Sequence, residues 1–344
     1  MFNVIYDNAI IYCLINKFMK LCVLTLYFTF SIILIIDNLL LKWVAYEFST
    51  VLTVRILNIS KNSNKVVRIV YYSVSSISSL IVMFIIVYYN NLTCMFSLGS
   101  EFVIKSFIAM LFLKLRIFPF HNWIIYCYEK SSWDQIFLIS SIMKFIPISF
   151  FCHFTGFWHN IIIILILNRV FISFYVNIRF SIKKMLACST SFNNFILICM
   201  FITRIKQFIV FIVAYSVIIY FITNILGKFS CSKVFIIFES KNVTYIFILW
   251  IIAYSMLPIM TRFLLKWNFI LEISKFNNFQ SFIYFLFLIS NILIIWKYMM
   301  VLKKRIMLKK VYIYRKLGPV LSIAMFVYIA LFIFSFIIFN FLVL

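Results

Sequence analysis

Residues 208–226 read FIVFIVAYSVIIYFITNIL, a run that contains no charged side chain. A helix needs about 20 consecutive apolar residues to cross the hydrocarbon core of a bilayer. In lipid every backbone N–H and C=O group must be satisfied within the segment, which favours a helix. The stretch therefore predicts a transmembrane helix.

Similar apolar runs recur along the 344 residues, separated by charged or Asn- and Ser-rich breaks. Hydrophobic residues make up 66% of the chain and charged residues only 12%, which excludes a soluble globular domain and a disordered chain. The sequence predicts an all-α polytopic membrane bundle that forms one integral membrane domain over residues 1–344. The predicted spans are 18–36, 39–58, 69–89, 98–115, 134–152, 158–176, 187–203, 208–226, 244–267, 279–296 and 319–343.

The chain has 32 Lys and Arg residues and 8 Asp and Glu residues, which gives a net charge of +24. Nearly all of the Lys and Arg residues between the spans fall on one side of the predicted membrane. The positive-inside rule then places the N-terminus inside and the C-terminus outside. The densest cluster, Lys303–Lys316, belongs to a basic loop over residues 297–318, before the last span at 319–343. A short loop between two spans favours anionic phospholipid or a partner subunit as its contact. Nucleic-acid binding is not expected.

Phe (44) and Tyr (20) are abundant, whereas Gly and Pro number four each. Phe, Tyr, Ile, Asn and Lys are the residues of AT-rich codons, which are typical of organelle genomes and AT-biased parasite genomes. The stretch Met1–Cys13 shows neither an Arg-rich presequence nor a basic segment before a cleavable apolar run. We therefore expect synthesis inside the organelle.

The sequence shows no pattern that would bind a redox cofactor, a nucleotide or a metal. Its three His residues are not paired at the spacing of a bis-haem site. No GxGxxG, Walker or Fe–S cysteine motif occurs, and the eight Cys residues include no CxxC pair. We expect this chain to carry no cofactor and no metal.

Ionisable residues also lie inside the apolar runs, where each costs several kcal/mol if it faces lipid. Snorkelling towards the headgroups accounts for those near span ends. A series of buried acids and amines, wetted by internal water, can instead exchange protons as neighbouring charges change. A third interpretation is a non-pumping structural scaffold in which the charges only pair helices. Arg169 is ambiguous between snorkelling and a functional role. The residues are Glu47, Lys114, Lys144, Arg169 and Lys266, with Lys42, Arg55, Lys105 and Arg262 nearer the ends.

The stretch LKLRIFPFHNW at residues 113–123 resembles the signature Lys-Leu-Gly-x-x-Pro-Phe-His-x-Trp of a membrane-protein family. That family is chain 2 of respiratory NADH:ubiquinone oxidoreductase, or complex I, an antiporter-like proton-pumping subunit. Other stretches resemble further motifs of the family in the same order, over about residues 43–267. They are Trp43–Glu47, Lys65–Ser79, Ile142–Pro147, Ile182–Thr190 and Leu257–Trp267.

The resemblance implies a relay of buried groups that carries protons. Glu47 and Lys114 would form a carboxylate–lysine pair, and Lys144 would be the central relay lysine. Lys266 would be the distal lysine, in a helix broken near Pro258. Such a break is tolerated around a wet, protein-lined cavity, although a plain kink is the alternative at this proline.

Three further residues are relay or structural candidates: His121, Asn193 and Arg262. His121 is favoured as a structural hydrogen-bonding residue. Asn193 stands where the family usually has a His, so the link between central and distal lysines would run through water. Arg262 and Arg116 each stand where the family motif has a Gly, and both add positive charge near the relay.

The resemblance implies a membrane-arm subunit that couples electron transfer elsewhere in the complex to proton translocation. FMN, Fe–S clusters and ubiquinone would belong to the complex as a whole. Other membrane-arm subunits and an anionic phospholipid such as cardiolipin would be its partners. It would lie in the mitochondrial inner membrane, with the N-terminus in the matrix and the C-terminus in the intermembrane space. A sister antiporter-like subunit or a stand-alone cation/proton antiporter is the alternative.

Overall fold

The computed structural model describes residues 21–59, 65–91, 106, 109–151, 158–178, 181–203, 205–228 and 280–307. Within these ranges the regular secondary structure is helical, which confirms the predicted all-α class. The predicted spans 244–267 and 319–343 lie outside the described residues, and so do Pro258, Arg262 and Lys266.

The helices of the described ranges are numbered here in chain order. They are α1 (Leu21–Ile35), α2 (Leu39–Ile59), α3 (Lys65–Asn91), α4 (109–115), α5 (Asn122–Lys130), α6 (Trp133–Ser140), α7 (Ile142–Phe151), α8 (Trp158–Ile178), α9 (Ile182–Phe192), α10 (Asn194–Thr203), α11 (Ile205–Lys228) and α12 (Gln280–Met307).

Several predicted spans coincide with these helices to within a few residues. The span predicted at 39–58 is α2, and the one at 208–226 lies within α11. Among the described residues, three helical stretches have the length and apolar composition to cross a bilayer. They are Lys65–Val87, Ile182–Phe201 and Ile205–Gly227.

Two predicted spans are each divided into two helices. The span at 134–152 is divided at Ser141 into α6 and α7, and the span at 187–203 is divided at Asn193 into α9 and α10. Both apolar runs continue across the division, so hydropathy alone gives no sign of it.

Helix α12 extends further than its predicted span and ends at Met307. Residues 297–307, predicted as part of the basic loop, are therefore helical. Lys and Arg are good helix formers, so a basic run next to an apolar helix can continue that helix.

Local sequence sets the starts of α6 and α9. Ser132 and Gln135 form a capping box: the Gln135 N–H donates to Ser132 Oγ at 3.5 Å, and the Ser132 N–H donates to Gln135 Oε1 at 3.0 Å. Ser181 Oγ accepts a hydrogen bond from the Lys184 N–H at 3.3 Å. Each contact satisfies a backbone donor that the first helical turn leaves without a partner.

The chain divides into two compact units. The first contains α1 to α4, α6 and α7, and in it α2 packs against α3 and α7. The Trp43 indole N–H donates to the Ser79 carbonyl oxygen at 3.2 Å, which joins α2 to α3. The Tyr46 ring stacks on Phe150 with centroids 4.9 Å apart, which joins α2 to α7.

The second unit contains most of α5 together with α8 to α12. Helix α8 packs against α9, α10 and α12, and α10 packs against α11. Phe201 and Phe208 meet edge to face with centroids 4.9 Å apart. The Lys297 ammonium donates to the carbonyl oxygen of Asn177 at 2.6 Å, which fixes α12 against the end of α8.

Helix α2 shows how the side chains are distributed between interior and exterior. Val44, Phe48 and Val51 lie on one face and are each more than half exposed, whereas Thr50 and Thr53 lie on the opposite face and are buried. A helix on the surface of a soluble protein has the reverse pattern. An apolar exterior over a polar interior suits a helix whose solvent is lipid.

Candidate functional site

Lys114 lies at the end of α4, and its side chain reaches α2. It is 6% exposed, and its Nζ atom lies 4.7 Å from the centroid of the Tyr46 ring. The same ring also stacks on Phe150 of α7. A cation over an aromatic face is stabilised by the ring quadrupole, more strongly when water is excluded. The contact holds the ammonium against the residue that precedes Glu47.

Glu47 presents its carboxylate on the same helix. Oε2 lies 3.2 Å from the Thr50 hydroxyl, which also lies 2.8 Å from the Glu47 carbonyl oxygen. Oε1 is buried and has no hydrogen-bond partner among the described residues. A carboxylate oxygen can accept hydrogen bonds or take up a proton. This oxygen therefore retains the capacity to bind water or a proton.

Lys144 lies in the first turn of α7 and is 3% exposed. The preceding Ser141 has φ −103° and ψ −96°, outside helical geometry, and its hydroxyl donates to the Phe137 carbonyl oxygen at 2.6 Å. The Lys144 N–H donates to the Ser141 carbonyl oxygen at 3.0 Å. The division between α6 and α7 thus places Lys144 near the N-terminus of α7. The positive end of the helix dipole lies there and disfavours a positively charged side chain.

Glu47, Lys114 and Lys144 all belong to the first unit. Lys114 contacts α2 through Tyr46, Glu47 is the next residue of α2, and α2 packs against the helix that carries Lys144. The structure therefore places one acid and two buried amines on adjoining parts of one helical group. Three other predicted site residues lie outside the described residues: Pro258, Arg262 and Lys266.

Helices α4 and α5 are separated by a turn at Arg116–His121. Arg116 has φ 63°, in the left-handed region that favours glycine, and this is the position of the Gly in the motif that residues 113–123 resemble. The Phe118–Pro119 peptide bond is cis, and the Phe120 N–H donates to the Ile117 carbonyl oxygen at 2.8 Å. The backbone geometry thus explains why the motif carries a glycine.

Helix α8 holds this turn in place. The Phe118 N–H donates to Asn168 Oδ1 at 2.8 Å, and the Phe118 ring lies 4.1 Å from the ring of Phe171. The buried His121 ring meets the Tyr175 ring edge-on with centroids 4.9 Å apart. His121 therefore lies among aromatic side chains of its own unit.

Asn193 lies at the division between α9 and α10 and is fully buried. Its Nδ2 atom donates to the Ser189 carbonyl oxygen at 2.7 Å. An amide side chain does not titrate between pH 5 and 8, so this residue can orient water but cannot carry a proton.

Sequence reasoning did not identify two of the residues that form these contacts, Tyr46 and Asn168. Both are uncharged, and in a chain rich in Tyr and Asn neither type gives a signal. Asn168 stands inside an apolar run beside Arg169, and that polar pair in mid-span is the sign that could have found it. Within the described ranges, no group of three or more His, Cys, Asp or Glu residues is arranged to hold a metal.

The chain is similar in sequence to proteins named NADH-ubiquinone oxidoreductase chain 2. The protein of that name from Apis mellifera ligustica is 36% identical over 276 residues, which cover 79% of this chain and 81% of the relative. The one from Albinaria caerulea is 28% identical over 129 residues, 36% of this chain and 40% of the relative. No family model matches the chain.

Solved structures share the fold at low sequence identity. A chain of respiratory complex I from Thermus thermophilus with bound aureothin has a TM-score of 0.77 and 13% identity, covering 92% of this chain and 77% of that one. A chain of the archaeal membrane-bound sulfane sulfur reductase has a TM-score of 0.69, with 12% identity and coverages of 88% and 69%. A chain of the Mrp complex from Dietzia sp. has a TM-score of 0.64, with 12% identity and coverages of 78% and 56%.

Proposed function

The chain belongs to the NADH-ubiquinone oxidoreductase chain 2 family, and from this premise we propose that it moves protons through Glu47, Lys114, Lys144 and Lys266. It is a membrane-arm subunit of respiratory complex I. The observation that carries the relay is the grouping of Glu47 with the buried Lys114 and Lys144 on contacting helices of one unit.

The contact between Lys114 and Tyr46 supplies a two-state element. The ring face stabilises the ammonium but not the neutral amine. When Lys114 gives up its proton, this attraction is lost and no longer favours the position of the side chain over the ring. Protonation and position of the lysine are then coupled, which a proton-transfer step requires.

Glu47, which follows Tyr46 on α2, supplies a charge of opposite sign. A change in charge on a neighbouring subunit would alter the energy of the Glu47 carboxylate and, with it, the proton affinity of Lys114 and Lys144. Each elementary charge moved across the membrane must overcome about 2.3 kcal/mol per 100 mV. In this proposal electron transfer elsewhere in the complex supplies that free energy.

The rest of the assignment follows from the family. The chain would bind neither NADH nor ubiquinone, and FMN and the Fe–S clusters would lie on other subunits. Its partners would be other membrane-arm subunits, and its basic segments would contact anionic phospholipid such as cardiolipin. It would be encoded and inserted within the mitochondrion, with the N-terminus in the matrix and the C-terminus in the intermembrane space.

Glu47→Gln tests the role of the acid, because it keeps the shape of the side chain and removes its charge. We expect the complex to assemble, and coupled turnover in sealed vesicles to fall about tenfold, which corresponds to about 1.4 kcal/mol of barrier. The matched control is Glu129→Gln: Glu129 is half-exposed and pairs with Lys184 at 3.0 Å, and a surface pair of this kind contributes at most about 1 kcal/mol.

The structural-scaffold alternative gives a different result in the same experiment. If Glu47 only pairs helices together, Glu47→Gln would lower the assembly or thermal stability of the complex and leave the coupled turnover of the surviving complex at the level of Glu129→Gln. That outcome would reject the relay role.

A further inference from the structure

Lys42 lies in the first turn of α2 and is only 2% exposed. The sequence predicts snorkelling for basic residues near span ends, which would leave the ammonium at the exterior. Arg55, near the other end of the same helix, is exposed as that prediction requires, whereas the burial of Lys42 does not agree with it. The first turn of a helix also disfavours a positive charge. Lys42 therefore occupies a position that is unfavourable both for its burial and for its charge.

The side chain of Lys42 belongs to the buried face of α2. Residues four apart are neighbours on a helix, and Tyr46 is four residues from Lys42. Both are buried, as are Ser49 and Thr53 further along the same face. The Lys114 ammonium lies 4.7 Å from the centroid of the Tyr46 ring. Lys42 is thus one helical turn from the contact that holds Lys114.

The surroundings of Lys42 allow its charge to act on the proposed relay. At 1.5 Å per residue, Lys42 and Glu47 are about 7.5 Å apart along the axis of α2. The indole N–H of Trp43 donates to the Ser79 carbonyl oxygen at 3.2 Å, so α3 covers α2 at this level. Helices α3 and α7, which pack against α2, contain no Asp or Glu. Charges that are shielded from water interact more strongly than charges at an exposed surface.

Other titratable groups lie around this part of α2. Asp37, exposed just before the helix, interacts electrostatically with Lys42. Among the described side chains of α3 and α7, the buried titratable groups are Tyr71 and Lys144. Lys42 is nonetheless the basic residue of α2 that is nearest to Glu47 along the helix.

We propose that Lys42 is a positioning residue whose positive charge makes Lys114 release its proton more readily and stabilises the Glu47 carboxylate. A neighbouring positive charge disfavours a second ammonium and favours a carboxylate. Lys42 acts through these two groups and need not carry a proton itself. The inference rests on the proposed function, since it concerns the groups of the relay. The alternative is that Lys42 only fills space between α2 and the helices that pack against it.

The pH dependence of coupled turnover in sealed vesicles tests this role with Lys42→Met. Methionine has a similar length and no charge, so Glu47 and Lys114 would both bind protons more tightly. The limbs of a pH profile report the ionising groups that turnover requires. We therefore expect the profile to move to higher pH, by about one unit. Lys42→Arg keeps the charge and should give the native profile. The space-filling alternative predicts no displacement from the loss of charge.

Two further variants complete the test. Arg55→Met is the matched control, because it removes a positive charge from an exposed position of the same helix, and its profile should be native. Lys42→Gln keeps a polar side chain at the buried position and should move the profile as Lys42→Met does, so it replaces Lys42→Met if the latter impairs assembly. A native profile in the neutral variants of Lys42, or an equal displacement in Lys42→Arg, would overturn the proposal.

These outcomes are distinct from those of the Glu47 experiment, which measures the level of turnover. Reduced turnover in Glu47→Gln together with a native profile in Lys42→Met would reject the role of Lys42 alone. Turnover in Glu47→Gln at the level of its control would instead reject the proposed function.

Discussion

At the scale of single residues, Arg116 shows how local geometry and residue type can disagree. It occupies a backbone conformation with φ 63°, which costs a residue with a side chain roughly 1–2 kcal/mol. Its side chain regains part of this cost, because the guanidinium carbon lies 5.5 Å from the ring centroid of Trp123. The departure from glycine is therefore tolerated rather than favourable.

Arg116→Gly and Arg116→Ala form a matched pair that measures this strain. Both variants lose the contact with Trp123, so their difference reports the backbone. We expect Gly to exceed Ala in stability by about 1 kcal/mol, measured as the thermal midpoint at which the subunit leaves the detergent-solubilised complex. At Ser73, exposed in the middle of α3, the same pair of substitutions should give the reverse order, with Ala more stable by about 0.5–1 kcal/mol. The same order at both positions would contradict the account.

The candidate site could be predicted from the sequence where its residues are charged. Lys114, Lys144 and Glu47 were identified because an ionisable side chain in an apolar run needs a reason, and the structure confirms that both lysines are buried. Tyr46 could not be identified in this way, because its role depends on Lys114 and Phe150 meeting its ring. Such contacts join distant parts of the chain and have no local signal.

At the scale of helices, the apolar runs predicted most positions well and the divisions poorly. A run of about 20 apolar residues in lipid has to be helical, which is why α2 and α11 agree with their predicted spans. The divisions at Ser141 and Asn193 depend on how side-chain and backbone hydrogen bonds are satisfied within the fold. Hydropathy contains no information about that choice.

The start of α6 supplies a prediction at this scale. Ser132→Ala removes the hydroxyl of the capping box and should destabilise the protein by about 0.5–1 kcal/mol, near the low end for such caps because the bond is long, at 3.5 Å. Ser132→Gly should cost only a few tenths of a kcal/mol. The thermal midpoint of the solubilised complex measures both. A native midpoint for Ser132→Ala would show that the box does not stabilise α6.

At the scale of the whole molecule, the described helices bury polar and charged side chains such as Lys114, Lys144 and Arg169 and leave many large apolar side chains exposed. Composition predicted the apolar exterior, because a chain with so few charged residues cannot cover a soluble surface. Composition could not predict which charges would be placed together. In the first unit an acid and two amines lie on contacting helices, whereas in the second unit Arg169 lies among neutral side chains. The first arrangement suits proton transfer.

The ratio of protons moved to electrons transferred, measured with Lys144→Met in sealed vesicles, tests the central claim most directly. Methionine has a similar length and cannot hold a proton, so the complex should assemble and its ratio should fall below that of the native complex. Lys206→Met, at an exposed position in the first turn of α11, is the control and should keep the native ratio. A native ratio in Lys144→Met would contradict the relay.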